Sequence, residues 1–467
     1  MSERRNRYTA VLFLTALIAG TIYLNLGSLP QPLEITEAQR PAARQVRGPA
    51  WRLEAEGASA ATRLPKQTHP IQGTPSRWTD RLPTLKQVSD GLQAHIDGAE
   101  TAVNESLDRD HLFIQLYGGA QRLMGRQSVE DMDSKYTVMR LSNGQLTFAD
   151  PEGKPVDRST MAGEFISFAR RVEFRYGVPT LYVQAPSKLD TAQLPQGVDN
   201  YADAEADQFL SLLEEAGVDT LDLRPTFRQA AQADETAGER YFFDTDHHWT
   251  PAGAFLGFQA LCDKLEEDYD FTVDPAFTQE RSYEKYTFDD LFLGSQGKRV
   301  GSLYAGLDDV EIWSPKFRTD FTYTVPMSGI TRTGPFAVSL LFPELVADRG
   351  SLYDTNPYVI YSGGDFLLAR AKNEENPDAP RILILRDSFG CTLTPFLSLL
   401  TSETIAMDGR MFSGDQDEML DYIHWLEPDL VIVLNAASSL EVDGLFPYLP
   451  TNRAQNLAAK AQQQGEG

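Results

Sequence analysis

The apolar positions of the chain follow two patterns that alternate along it, and together they predict an α/β protein. Short β-branched runs indicate buried strands, whereas apolar residues spaced three and four apart indicate helices. The runs predict strands over His111–Tyr117, Thr180–Gln184, Asp219–Leu223, Ile382–Leu385 and Asp429–Leu434. The helical spacing covers Lys86–Leu107, Met161–Tyr176, Ala204–Ala216, Ala252–Tyr269, Thr394–Leu400 and Gln416–Trp425. Strands and helices in this order form a parallel sheet with right-handed crossovers.

Two regions depart from this alternation. Apolar runs on either side of Ser142–Gly144 predict a hairpin between Tyr136–Leu141 and Gln145–Ala149. From about residue 270 to about residue 364 the chain is rich in aromatic residues, Thr, Gly and Asp. The short candidate strands of that region are Val310–Trp313, Asp320–Val325 and Tyr358–Tyr361. We predict an inserted lobe there, mainly β or irregular, which either shapes a substrate groove or caps the sheet.

The N-terminus carries the pattern of a membrane anchor. Arg4, Arg5 and Arg7 precede an uncharged apolar run from Tyr8 to Leu26. As a helix, a run of about 19 residues is roughly 28 Å long, enough to cross a bilayer. The basic flank predicts a cytoplasmic N-terminus and an extracytoplasmic remainder, in a single-pass protein of the cell membrane. A cleaved signal peptide is the alternative, but its apolar region is usually shorter and ends in an Ala-x-Ala-like site.

Composition divides the rest of the chain and excludes some functions. We predict a membrane anchor with its basic flank over 1–27, a flexible tether over 28–76, an extracytoplasmic domain over 77–451 and a disordered tail over 452–467. With 467 residues, 42% of them hydrophobic, the chain can bury a large core. The net charge of −25 argues against nucleic acid as a partner. Cys262 and Cys391 form neither a disulfide framework nor a zinc-binding pattern, and we expect buried thiols.

The densest cluster of candidate catalytic residues lies just before a predicted helix. Asp244, Asp246, His247 and His248 fall within eleven residues that end in Thr250–Pro251. Thr is a good N-cap and Pro suits the first helical position, so the cluster lies on the loop that enters the helix. A carboxylate beside an imidazole fixes its tautomer and stabilises the imidazolium, as a general base requires.

The cluster offers more than one arrangement. Successive side chains of an extended loop point to opposite sides, so we expect one of His247 and His248 to face a pocket and the other to serve structure. Asp246 with His248 and Asp244 with His247 are both candidate pairs. If the first pair works, Asp244 is an exposed loop residue or supports that pair, and His247 could donate to a substrate carbonyl or carboxylate. His248 could alternatively only pack or cap near the helix start. Trp249 is more often a wall of the core than a platform for a sugar ring.

A candidate nucleophile follows the strand predicted at Ile382–Leu385. Ser388 would lie exposed on the turn that leaves this strand, where the backbone N–H groups of Ser388 and Gly390 could bind an oxyanion. The alternative is that Ser388 only caps the next element. Asp387, directly before it, could serve simply to satisfy backbone N–H groups.

Three more polar residues follow predicted strands. Asn435 is either a side-chain oxyanion donor or an ordinary turn residue. Lys188 and Arg410 could hold an anionic substrate, although for both we favour a surface salt bridge.

Two of these motifs carry a resemblance to a known family. Asp246-His247-His248-Trp249 and Asp387-Ser388-Phe389 resemble the motifs of the SGNH-hydrolase-like DHHW proteins and, more distantly, of the alginate O-acetyltransferases AlgX and AlgJ. The resemblance spans roughly Asp108 to Leu449, and it includes Phe113–Arg122, Ala185–Lys188 and Phe292–Arg299. It implies an SGNH-like (flavodoxin-like) fold in which Ser388 attacks, His248 is the base and Asp246 orients His248. Asp244 with His247 remains the rival pair, because it has the Asp-x-x-His spacing of ordinary SGNH esterases.

The resemblance also implies a function. The chain would be a membrane-anchored O-acetyltransferase or acetylesterase that acts on a cell-surface or secreted polysaccharide, without a cofactor. A membrane-bound acyltransferase partner would supply the acyl donor, by analogy with the alginate system. The alternative is a catalytically silent scaffold or glycan-binding protein of a surface-polymer assembly. A metal-dependent hydrolase is a weaker alternative, because adjacent histidines rarely converge on one ion, and we predict no metal.

Overall fold

The computed structural model describes residues 111–132, 135–148, 155–198, 200–234, 236–347, 351–441 and 445–455. The apolar run from Tyr8 to Leu26, the tether over 28–76 and the helix predicted over Lys86–Leu107 lie outside these residues. Within them, no helix is both long and apolar enough to cross a bilayer. The described chain continues into the predicted tail, where Asn452 is buried.

The strands of this part of the chain are β1 to β13. They are β1 (Ser128–Glu130), β2 (Thr137–Arg140), β3 (Leu146–Phe148), β4 (Thr180–Ala185), β5 (Asp219–Asp222), β6 (Tyr283–Phe292), β7 (Asp308–Pro315), β8 (Phe321–Val325), β9 (Ile330–Gly334), β10 (Ala369–Asn373), β11 (Arg381–Arg386), β12 (Glu403–Asp408) and β13 (Leu430–Ala436).

The α-helices differ widely in length, from 4 to 18 residues. They cover Leu112–Leu123, Ser159–Tyr176, Ala202–Glu215, Arg224–Ala233, Ala237–Tyr241, Pro251–Asp268, Ser295–Val300, Ser302–Ala305, Phe336–Ser339, Glu344–Ala347, Gly390–Leu397 and Gln416–Leu426. The helix Pro251–Asp268 begins as predicted, because the Thr250 side chain accepts from the Gly253 N–H and Pro251 occupies the first turn.

Eight strands form the central sheet, in the order β5-β4-β13-β11-β12-β10-β8-β9. The five strands from β5 to β12 are parallel, whereas β10, β8 and β9 pair antiparallel. The prediction of a parallel sheet is therefore correct for one part, and the complete sheet is mixed. Strands β8 and β9 come from the region predicted as an inserted lobe, and they extend the central sheet. Within the same region, β6 and β7 form a separate antiparallel ribbon.

The core has an apolar layer on each face of the sheet. Alternating residues of the buried strands divide between the layers, so that Ile382 and Ile384 face one and Leu383 and Leu385 face the other. The first layer includes the helices Pro251–Asp268 and Gly390–Leu397. The second includes Ser159–Tyr176, Ala202–Glu215 and Gln416–Leu426. The carboxyl ends of β4, β11 and β13 meet at one edge, where α/β sheets commonly bind ligands.

The smaller sheet, in the order β1-β2-β3, contains the predicted hairpin. Strands β2 and β3 pair antiparallel around Ser142–Gly144, and Gly144 takes the positive φ that a tight turn requires. Because the Leu146 N–H donates to the Asp244 carbonyl, this sheet lies against the loop that carries the Asp/His cluster.

Three predicted elements are wrong. The run His111–Tyr117 is not a strand but the start of the helix Leu112–Leu123, in which Gly118 packs so tightly that a Cβ would lie 1.6 Å from the Val300 carbonyl oxygen. Tyr358–Tyr361 is not a strand, because Pro357–Ile360 forms a 3₁₀ turn. The helix predicted to begin at Thr394 begins at Gly390 and contains Pro395.

Candidate active site

Ser388, His248 and Asp246 form a continuous hydrogen-bonded chain. His248 Nε2 lies 2.7 Å from Ser388 Oγ, and His248 Nδ1 lies 2.5 Å from Asp246 Oδ1. The short contact with a carboxylate places the imidazole proton on Nδ1, so the lone pair of Nε2 faces the Ser388 hydroxyl. This is the order of groups that can activate a serine for attack on a carbonyl.

The turn after β11 is built around Asp387. Its Oδ1 accepts from the Phe389 N–H at 2.9 Å, and its Oδ2 accepts from the Ala436 N–H at 2.8 Å and the Ser439 hydroxyl at 2.6 Å. The predicted role of Asp387 in satisfying backbone N–H groups is thus seen, and it also binds the turn to the end of β13. Ser388 therefore lies on a backbone that is held from both sides.

The loop that carries Asp246 and His248 is folded back on itself. Phe242 and Trp249 form an antiparallel bridge, and the Thr250 N–H donates to the Tyr241 carbonyl at 2.9 Å. Inside the loop, Asp308 at the start of β7 accepts from the Asp244 N–H at 2.5 Å and from the Thr245 N–H at 2.9 Å. Burial raises the pKa of Asp308 to about 6. No local sequence signal indicated this residue.

Asp246 is held by a third segment. The Ser295 N–H, at the start of the helix Ser295–Val300, donates to Asp246 Oδ2 at 2.6 Å. The two carboxylate oxygens therefore have separate partners, one from His248 and one from Ser295. Gly294 allows this approach, because a Cβ at that position would lie 2.2 Å from the Cβ of Asp246.

Trp249 joins the two motifs through the core. Its indole N–H donates to the Phe389 carbonyl at 3.1 Å, and its rings pack edge-on against Phe389. The side chain is 0% exposed. Trp249 is consequently a wall of the core, and the alternative in which it stacks on a sugar ring is wrong because no ligand can reach it.

His248 is sandwiched between two rings. Tyr358 stacks on one side with its centroid 3.8 Å away and an interplanar angle of 13°, and His247 lies on the other side, also at 3.8 Å. The Tyr358 hydroxyl also donates to the Ser388 carbonyl at 3.0 Å. The prediction that the two histidines point apart is wrong. Residues 244–248 form a bend and not an extended strand, so the alternation of side chains does not apply.

The rival pair of Asp244 and His247 does not form. His247 Nδ1 instead lies 2.8 Å from Ser295 Oγ, and its nearest carboxylate is that of Asp246, at 3.7 Å. Asp244 contributes backbone groups, since its carbonyl accepts from the Leu146 N–H and its N–H donates to Asp308.

Charge and burial at the site favour an ionised Asp246 and a neutral His247. Burial opposes ionisation of Asp246, but the attraction of the two histidines outweighs it and holds the pKa of Asp246 well below its usual range. Burial lowers the pKa of His247, and the neighbouring His248 lowers it further. Burial raises the pKa of Tyr358 well above its ordinary value, so its hydroxyl remains a donor.

The predicted oxyanion donors differ in their hydrogen bonding. The Gly390 N–H already donates to the Asp387 carbonyl at 3.2 Å. Asn435 is buried at the end of β13, and its Nδ2 has no hydrogen-bond partner among the described residues, so its role as a donor stays a prediction. The Ser388 N–H, by contrast, donates no hydrogen bond to any described residue and stays available.

Lys188 and Arg410 lie in different environments. Lys188 is 3% exposed, and its ammonium donates to the Leu146 and Asp244 carbonyls and to Gln296 Oε1. The predicted surface salt bridge is wrong for Lys188, because it is buried among uncharged acceptors. Arg410 forms the predicted ion pairs, with Asp408 at 2.7 Å and Asp365 at 3.1 Å, and lines neither cleft.

Two clefts meet at the candidate site. The Lys188 cleft, about 700 Å³, contacts Lys188, Gln296 and Phe389, and the His248 cleft, about 820 Å³, contacts Asp246, His248 and Ser295. Both clefts share a set of three aromatic side chains, Tyr136, Phe148 and His247. Tyr136 and Phe148 come from the smaller sheet, and their ring centroids are 5.2 Å apart.

A metal ion would have to compete with this hydrogen bonding. Asp246, His247 and His248 have ligand atoms within 4.8 Å of one another. Asp246 Oδ1 and His248 Nδ1 already bond to each other, however, and His248 Nε2 bonds to Ser388. The geometry therefore suits proton transfer along the chain better than three ligands on one ion. The two cysteines are buried free thiols, as predicted.

Comparison with known proteins confirms the predicted resemblance. Residues 158–291 match the family model described as ALGX, an SGNH hydrolase-like domain of the acetyltransferase AlgX. The matched stretch includes Asp246 and His248 and ends before Ser388. No curated protein matches the sequence.

Solved structures share the fold. A DHHW family protein from Eubacterium siraeum is 17% identical, with a TM-score of 0.53 over 70% of this chain and 98% of its own. PatB1 from Bacillus cereus is 20% identical, with a TM-score of 0.54 over 67% of this chain and 99% of its own. PatB1 has also been solved with a sulfonyl adduct, at 19% identity, a TM-score of 0.53 and coverage of 68% of this chain and 98% of its own. The chain thus has an SGNH-hydrolase-like α/β fold with a mixed sheet.

Proposed function

We propose that this protein is a serine-dependent acyl-ester enzyme that transfers acetyl groups to, or removes them from, a polysaccharide. The observation that carries the proposal is the hydrogen-bonded chain from Asp246 through His248 to Ser388. The match to a domain of an acetyltransferase supports the choice of acetyl. Ser388 follows the carboxyl end of a parallel strand, its neighbour Phe389 lines the Lys188 cleft and its partner His248 lines the His248 cleft, which supports the same site.

The proposed first half-reaction forms an acyl-enzyme. Ser388 Oγ attacks the carbonyl carbon of an acetyl ester while its proton passes to His248 Nε2, and Asp246 stabilises the resulting imidazolium. The tetrahedral intermediate collapses as the ester C–O bond breaks, and His248 returns the proton to the leaving oxygen. The free N–H of Ser388 is the donor that we assign to the developing oxyanion.

The second half-reaction decides between a transferase and an esterase. A sugar hydroxyl or a water molecule gives its proton to His248 Nε2 and attacks the acetyl carbon on Ser388. The bond to Ser388 Oγ then breaks, and the proton on His248 passes to that oxygen. The protein needs no cofactor for these steps, because each proton has a partner within the hydrogen-bonded chain.

We further propose that the enzyme works outside the cytoplasm, held to the cell membrane by the apolar run from Tyr8 to Leu26. The length of that run and the three arginines before it support this placement. A transferase in that position requires an acyl donor outside the cytoplasm, and a membrane-bound acyltransferase partner would supply it.

Covalent modification of Ser388 tests the proposal. We would treat the full-length protein with phenylmethylsulfonyl fluoride or para-nitrophenyl acetate, and measure the added mass on the peptide that contains Ser388. PatB1, a protein of the same fold, has been solved with a sulfonyl adduct, which makes this reagent a suitable probe. We expect Ser388→Ala to abolish the modification and His248→Ala to slow it by at least about a hundredfold.

His424 offers a matched control, because it is an exposed histidine on the helix Gln416–Leu426. His424→Ala should react at the wild-type rate. An unmodified Ser388 in the folded wild-type protein would contradict the proposal. A catalytically silent scaffold or glycan-binding protein would then be the better account of the chain.

A further inference from the structure

His247 occupies the boundary between the two clefts. Its imidazole contacts both of them, and its side chain is 37% exposed, compared with 7% for His248 and 5% for Asp246. A molecule in either cleft therefore reaches His247 more readily than His248. Of the two neighbouring imidazoles, His247 is the more exposed, and it alone lines both clefts.

The hydrogen bonding of His247 leaves one nitrogen uncommitted. Nδ1 lies 2.8 Å from Ser295 Oγ, whereas Nε2 has no partner among the residues described. When the Ser295 hydroxyl donates to Nδ1, the proton of the neutral ring lies on Nε2. His247 then presents a hydrogen-bond donor that no part of the described fold uses.

The surroundings keep this ring uncharged. Burial is the main cause of the lowered pKa of His247; the basic groups His248, Lys188 and Arg410 lower it further, and Asp246 opposes them. Lys298 and Arg299 also line the His248 cleft. A neutral donor suits a sugar hydroxyl, which carries no charge.

His247 is not needed to hold the candidate catalytic chain together. Asp246 is fixed by His248 through one oxygen and by the Ser295 N–H through the other. His248 is stacked on Tyr358 from the side opposite His247. The His247–Ser295 pair therefore lies outside the candidate catalytic chain, and the His247 ring is available to bind a molecule in the clefts.

We propose that His247 binds the acceptor, by donating a hydrogen bond from Nε2 to a hydroxyl vicinal to the one that attacks. This inference rests on the proposed acyl-transfer function. The two imidazoles are 3.8 Å apart between centroids, close enough for neighbouring hydroxyls of one sugar ring to reach both. One hydroxyl gives its proton to His248 Nε2 and attacks the acetyl carbon; the bond to Ser388 Oγ then breaks, and His248 passes the proton to that oxygen. The other hydroxyl accepts from His247 and stays intact.

The proposal predicts a preference that a simple pair of alcohols can measure. Full-length protein would be given para-nitrophenyl acetate as donor, with ethylene glycol or ethanol as acceptor. Ethylene glycol has a vicinal hydroxyl, and ethanol has none. We expect the ratio of transfer to hydrolysis, counted per hydroxyl, to be higher for ethylene glycol. His247→Ala should lower that ratio about five- to tenfold more for ethylene glycol than for ethanol, as the loss of one hydrogen bond would.

Two further variants separate the acceptor role from a structural one. His247→Gln keeps an N–H donor and should recover part of the glycol preference, while Ser295→Ala, which frees Nδ1, should lose part of it. The rate of Ser388 sulfonylation, measured beside these ratios, reports on the activation of the nucleophile. The inference is overturned if the wild type does not prefer ethylene glycol, or if His247→Ala reduces sulfonylation as much as transfer. Failure of the proposed function appears separately, as a wild-type Ser388 that does not react.

Discussion

Gly294 shows how closely the backbone approaches the candidate site. A Cβ at this position would lie 2.2 Å from the Cβ of Asp246, and the neighbouring Ser295 N–H holds the carboxylate. We expect Gly294→Ala to displace Asp246, to lower the free energy of unfolding by about 1–3 kcal/mol, and to slow Ser388 sulfonylation by at least about tenfold. Denaturant unfolding and labelling kinetics measure the two effects.

Gly163 is the matched control for that substitution. It lies exposed within the helix Ser159–Tyr176, and a Cβ there would meet nothing within 4 Å. Gly163→Ala should therefore raise the free energy of unfolding by about 0.5–1 kcal/mol with no change in labelling. If Ser388 in Gly294→Ala is sulfonylated at the wild-type rate, the position of Asp246 does not depend on this contact.

Tyr358 combines two contributions that substitution can separate. Its ring stacks on His248, and its hydroxyl donates to the backbone carbonyls of Ser388 and Phe389. Tyr358→Phe should cost about 1 kcal/mol of unfolding free energy, because one buried donor is lost, and should keep most of the sulfonylation rate. Tyr358→Ala should cost about 3–5 kcal/mol and lose most of that rate. If Tyr358→Phe is as slow as Tyr358→Ala, the hydroxyl and not the ring positions His248.

At the scale of elements, Lys188 connects three segments that surround the clefts. Its ammonium donates to the Leu146 carbonyl in β3, to the Asp244 carbonyl in the Asp/His loop, and to Gln296 in the helix Ser295–Val300. Burial lowers the pKa of Lys188 to about 8. Between about pH 8 and about pH 10, the unfolded chain therefore holds this proton more tightly than the folded one, and stability from this group rises with pH.

Lys188→Met removes that titration. The difference in unfolding free energy between wild type and variant should grow in favour of the wild type as pH increases above about 8, by at most about 1.4 kcal/mol per pH unit. Urea unfolding from about pH 7 to about pH 9.5 measures the difference, and other titrating groups cancel in it. If the unfolding free energies of the two proteins change in parallel with pH, Lys188 keeps its proton over this pH range.

Elements with a strong local signal were predictable from the sequence, and those defined by distant contacts were not. The helix after Thr250–Pro251 and the strand before Ser388 have capping residues or apolar runs of their own. Strand β10 has none, because Ala369 and Ala371 are its small buried residues between charged ones. Tyr358, Ser295 and Asp308 reach the site across the fold, so no spacing near Asp246 or Ser388 could have indicated them.

At the scale of the whole molecule, the candidate site depends on joining segments 140 residues apart. The fold achieves this partly through one buried side chain, because the Trp249 N–H donates to the Phe389 carbonyl at 3.1 Å. The same indole packs on Phe227, in the helix Arg224–Ala233, and on Phe389, and so connects the Asp/His loop to the turn of Ser388. Changes at Trp249 should therefore affect the register of the two motifs as well as stability.

Trp249→Phe tests this link. We expect the unfolding free energy to fall by about 1–3 kcal/mol, from the smaller ring and the loss of the indole hydrogen bond to the Phe389 carbonyl. Sulfonylation of Ser388 should slow under conditions where the variant is fully folded. Without the indole hydrogen bond to Phe389, the distance from His248 Nε2 to Ser388 Oγ is fixed less firmly. Trp425→Phe is the control, since Trp425 is 66% exposed and should alter stability by less than about 0.5 kcal/mol. If Trp249→Phe loses stability but reacts at the wild-type rate, the alignment of the two motifs is set by the sheet and the Asp387 turn without the indole.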